Sequence, residues 1–107
     1  MYPDAVTWWH RQPDEEREAR WERTAVPEAH IETSRGSSRS VSGDSGSGTC
    51  VVIVPARCIG LCAWAAGDRF AVGVSDASEP PSGAFTATYV EPVRMGASVH
   101  HIEIGGA

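Results

Sequence analysis

Lysine is absent from the 107 residues, so all nine basic side chains are arginines, spread from Arg11 to Arg94 without a dense basic run. With fourteen acidic residues the formal net charge is −5 and the isoelectric point about 5.2. That balance excludes general nucleic-acid binding by phosphate neutralisation. Long apolar runs are lacking too. The most apolar stretch, Cys50 to Ala66, is interrupted by Pro55, Arg57 and Gly60 and falls short of the roughly 20 apolar residues of a membrane span. Met1-Tyr2-Pro3-Asp4 has neither the basic nor the apolar region of a secretory leader, so the expected compartment is intracellular, where thiols stay reduced. The three cysteines, an odd number, do not make a disulfide framework. Paired Cys-x2-Cys spacing is missing as well. Cys50, Cys58 and Cys62 are spaced x7 and x3 and read as small buried hydrophobes rather than metal ligands.

What is present points to short strands. The length predicts one domain, 1–107, with a modest core built on four Trp, two Phe and two Tyr. The last forty residues carry three runs rich in β-branched and aromatic residues: Arg69 to Val74, Ala84 to Val93 and Val99 to Gly106. Gly, Pro and Ser separate them. In the last run Ile102 and Ile104 share one face and His101 and Glu103 the other, as a half-wet antiparallel sheet requires. Ala5 to Arg11 predicts a first strand. Asp14 to Glu18 is the charged tip of a hairpin, and Arg20 to Val26 is its returning strand. That strand continues through Ala29 to Thr33 past Pro27, at an edge or bulge. A helix over Glu15 to Arg23 is the alternative, supported by Glu16 and Arg20 at i,i+4 but by too few apolar residues.

The clearest loop is Ser34 to Thr49, read as a mobile arm. Cys50 to Pro55 reads as a fully buried central strand. Ala56 to Ala66 is a short helix or an irregular crossover carrying Trp64. About six short strands call for closure as a small antiparallel β-barrel or sandwich.

Candidate chemistry is thin. Gly43-Asp44-Ser45-Gly46 is similar to the nucleophile segment of chymotrypsin-like proteases, but no His or Asp stands in a matching context upstream. Gly46-x-Gly48 precedes a strand and lacks a following Lys, so it is no phosphate loop. His100 and His101 are adjacent on a strand, so their rings point to opposite faces and cannot share an ion without a bulge. No catalytic, cofactor or metal residue is assigned. The interaction candidates are Trp8, Trp9 and Trp21, with Arg35, Arg39 and Asp44 of the arm. Adjacent Trp8 and Trp9 leave a strand on opposite faces. One of them therefore faces away from the core, as an exposed anchor for protein contact.

The segment order resembles the small minor structural proteins of the head–tail connection of tailed phages and prophages, including head-closure or stopper proteins. The likeness rests on Val6 to Arg11, Trp21 to Val26, Val51 to Pro55, Gly67-Asp68-Arg69-Phe70-Ala71-Val72-Gly73 and His100 to Gly106. It implies a non-enzymatic β-barrel subunit that forms a ring between portal and tail, with an arm that orders on assembly. Portal, adaptor and tail proteins are the implied partners, with no cofactor, and the location is the virion or, during assembly, the host cytoplasm. A second reading is a small bacterial regulatory or interaction protein. It rests on Gly48-Thr49-Cys50-Val51-Val52-Ile53 and Val72-Gly73-Val74-Ser75-Asp76-Ala77, which are similar to short actinobacterial acidic proteins.

Overall fold

The first run forms a strand covered on both faces, with Val6, Thr7, Trp8 and Trp9 all buried. In β1 (Asp4–Gln12), Val6 and Trp8 enter the core, while Thr7 and Trp9 leave on the other face. A computed structural model describes residues 3–12, 20–33 and 49–107. It contains β2 (Arg20–Thr33), β3 (Cys50–Pro55), a single helical turn α1 (Ala56–Ile59), β4 (Arg69–Val72), β5 (Phe85–Met95) and β6 (Ser98–Gly106). The six strands are antiparallel and close into a barrel in the order β1-β2-β3-β6-β5-β4. Each strand pairs with two neighbours, the β4–β5 seam through only two residue pairs, Arg69 with Thr86 and Phe70 with Phe85.

The returning strand is extended from Arg20 and pairs antiparallel with β1, so the hairpin reading of the first third holds and the helical alternative fails over Arg20 to Arg23. The tip, residues 14–18, lies outside the described residues, as do 34–48 of the arm. The β1–β2 register shifts between Asp4 and Val6, where three steps along β2 match two along β1. Pro27 sits in that bulge, where its missing N–H costs the ladder nothing.

β3 corrects one expectation. Cys50, Val52, Val54 and Pro55 are buried, but Val51 and Ile53 are only half-buried. The strand has one core face, because a barrel wall presents its other side to solvent. The crossover after it satisfies both readings: α1 lasts one turn and an irregular chain follows.

The interior is filled by an aromatic column. Trp8 stacks on Phe70 with ring centroids 5.4 Å apart and planes 5° from parallel. Phe70 stacks on Phe85 at 5.3 Å. Trp64, from the crossover, meets Trp8 edge-on at 4.8 Å, and its indole N–H donates to the Ile59 carbonyl at 2.7 Å. Val6, Val26, Val52, Val54, Ile102 and Ile104 pack around this column. Two glycines at the end of β6 make room for rings on its two faces. A Cβ on Gly106 would strike the Phe70 ring inside the barrel, and one on Gly105 would strike the Tyr89 ring outside it.

Candidate functional site

Asp68 is the polar centre of the molecule. It directly precedes β4, and strand parity puts it on the inward side with Phe70. Its carboxylate is 2 % exposed and accepts four hydrogen bonds. Trp8 Nε1 and His10 Nδ1 reach Oδ2 at 2.9 Å each, and the Ala65 amide reaches it at 3.1 Å. The Arg11 amide donates to Oδ1 at 3.0 Å. One buried acid thereby joins the first strand, the crossover and the fourth strand.

His10 and Asp68 have the arrangement in which an acid orients an imidazole for catalysis. The neighbouring thiol does not complete such a site. Burial, the dominant cause, pushes the Cys62 thiol up to about 12, although the Thr24 hydroxyl offers it a hydrogen bond. A thiol so raised stays protonated and unreactive near neutrality. Burial also raises Cys50. All three cysteines are free, with Cys50 and Cys58 buried and Cys62 half-buried, in keeping with small apolar side chains. Among the described residues no group of three or more His, Cys, Asp or Glu is placed to hold a metal ion.

Trp9 corrects the second expectation. It does face away from the core, yet it is 0 % exposed. The chain after β4 folds over it as a strap. Trp9 Nε1 donates to the Ala77 carbonyl at 2.9 Å. The Thr7 hydroxyl donates to the Gly73 carbonyl at 2.8 Å and accepts from the Ser75 amide at 2.9 Å. Gly73, at φ +94°, turns the strap and donates its own amide to Ala5 at 2.7 Å. Arg23, opposite Trp9 on β2, donates to the Ser75 carbonyl at 3.2 Å.

The three tryptophans named from the sequence are thus not one surface. Trp8 is core and Trp9 is covered. Trp21 remains half-buried on the outer face of β2, paired with exposed Arg11. Arg35, Arg39 and Asp44 lie outside the described residues. Among the described residues the exposed large apolar side chains are Leu61, Val72, Val74, Tyr89 and Met95. Sequence reasoning missed Asp68, which it named only as part of the Gly67 to Gly73 segment. Its parity with Phe70 was the available signal.

The two histidines of β6 correct the third expectation. Their rings do not diverge. The Nδ1 atoms lie 3.0 Å apart, on a bulge between Val93 and Arg94 of the partner strand. His100 also lines an open groove of about 410 Å³ with Pro55, Arg57, Met95 and Val99.

Among the described residues no helix is long and apolar enough to cross a membrane. Comparison with protein-family models, with curated proteins and with solved structures finds no match to this chain.

Proposed function

We propose that this chain is a structural subunit of the head–tail connector of a tailed phage or prophage, at the head-closure or adaptor position. It acts by ring assembly and protein–protein contact, not by catalysis. The observation that carries this reading is where the barrel places its longest insertion. Thr33 and Cys50 are direct cross-strand partners, so residues 34–49 leave and re-enter the wall at one point. An insertion rooted in this way can reach a neighbouring subunit without disturbing the barrel.

The interior supports the same reading. The described buried side-chain N and O atoms all have partners, so the polar core is committed to holding the fold. Contacts with portal, adaptor and tail proteins then fall to the outside. Trp21 and Arg11 on the β1–β2 face, and Arg35, Arg39 and Asp44 of the insertion, are the proposed contact residues. The acidic balance suits a channel wall along which DNA slides without sticking.

The test is to delete the gene from its source element, induce the lysate and image the particles. Full or leaking heads without tails, beside free tails, are the expected result. Normal infectious particles would overturn the connector reading in favour of a cellular regulatory or interaction protein.

A further inference from the structure

Consecutive side chains on a regular strand leave from opposite faces. His100 and His101 escape that rule because β6 is irregular where they sit. Val93 pairs with His101 and Arg94 with Val99. Two steps along β6 therefore match one step along β5, and His100 is the extra residue. A bulge breaks the alternation and re-aims a side chain. The two imidazoles meet with centroids 5.2 Å apart, planes at 83° and Nδ1 atoms 3.0 Å apart. His100 is exposed and His101 half-buried, and the open groove beside His100 gives access from solvent.

Two facing imidazole nitrogens can share only one proton between neutral rings. Protonating both rings sets two N–H donors against each other. A metal ion instead accepts both lone pairs. Two nitrogens in cis positions, each about 2.0–2.1 Å from one ion, stand about 2.9–3.4 Å apart. The observed 3.0 Å falls within that span. The terminal torsion of histidine is broad, so each ring can turn until the lone pairs converge. Glu103 lies two residues along the same face, but the Tyr89 hydroxyl donates to it at 2.8 Å.

We propose that His100 and His101 form a two-imidazole chelate for a divalent transition-metal ion of the zinc or copper class. Water fills the remaining positions. Imidazole suits these ions, whereas calcium and magnesium require oxygen donors. Binding needs both rings neutral, so it weakens as pH falls. The inference stands apart from the connector reading.

The experiment is a zinc chloride titration of the untagged, ¹⁵N-labelled full chain, followed in long-range ¹H–¹⁵N spectra of the imidazoles. The Nδ1 signals of His100 and His101 are expected to move together and saturate at one zinc per chain. His10, held by Asp68, and His30, whose Nε2 lies 3.0 Å from Glu32, are expected to stay. His101→Gln should abolish the shift at His100. His100→Gln, at the exposed bulge position, should abolish the shift at His101 and is the safer variant for folding. Movement of one ring only, a shift that survives either substitution, or zinc at His30 or the thiols would each overturn the proposal.

Discussion

Asp68 is the residue whose loss reaches furthest. Replacing it with Ala leaves the donors of Trp8, His10, Arg11 and Ala65 without their acceptor. At about 1–3 kcal/mol for each buried unsatisfied group, the expected destabilisation is at least about 3 kcal/mol, read by denaturant unfolding. Cys62 gives a second prediction. With its thiol at about 12 rather than the ordinary 9.0, it holds about a thousandfold less thiolate near pH 8, so alkylation by iodoacetamide should slow in proportion. Unfolding in denaturant should restore the ordinary rate. The same shift has a sign for stability. The folded-state value lies above the unfolded one, so this contribution is whole below about pH 9 and drains away as pH rises towards about 12. Unfolding titrations across that window should show the loss in the parent chain and a flatter profile in Cys62→Ala. Gly106 carries a steric prediction. Gly106→Ala drives a methyl into Phe70 and should cost about 1–3 kcal/mol, the usual range for overpacking. Phe70→Leu in the same chain should recover part of that loss if the ring is the obstacle.

At the scale of elements, the strap over Trp9 is held by bonds to Thr7 at both of its hydroxyl roles. Thr7→Val removes the acceptor of the Ser75 amide and the donor to Gly73. Amide exchange in residues 73–77 should accelerate while β3 and β6 stay protected, because the strap lies outside the ladder that closes the barrel. These elements also mark where sequence reading stops. The alternation of Ile102 and Ile104 against His101 and Glu103 is a local property, and the strand follows it. Pro27 announces its own bulge because it lacks a donor. The strap is different. Trp9 and Ala77 are 68 positions apart, and nothing near Trp9 says what will cover it. The bulge at His100 is equally silent, since it is set by pairing with Val93 and Arg94 rather than by the histidines themselves. Asp68 falls between these cases: its role depends on distant donors, but its inward direction follows from being two positions before Phe70.

The whole molecule is dominated by pairings between distant parts of the chain. β1 pairs with β4, and β3 pairs with β6. Folds of this type usually refold in milliseconds to seconds, about as slowly as small domains go. Stopped-flow refolding followed by tryptophan fluorescence should fall in that range, since Trp8 and Trp64 reach their packed environment only as the barrel closes. A helical bundle of this size would finish in the dead time.

Barrel closure also sets an order in time. The acceptor for Trp8 lies 60 residues downstream, and the last wall is β6. At about 5–20 residues per second of synthesis, Trp8 and Trp9 wait several seconds for Asp68 and the strap to emerge. During that interval a nascent hairpin carries two large rings with no shelter. The first strand is the part of this protein that a chaperone or a neighbouring nascent chain meets, and the mature fold removes it from view.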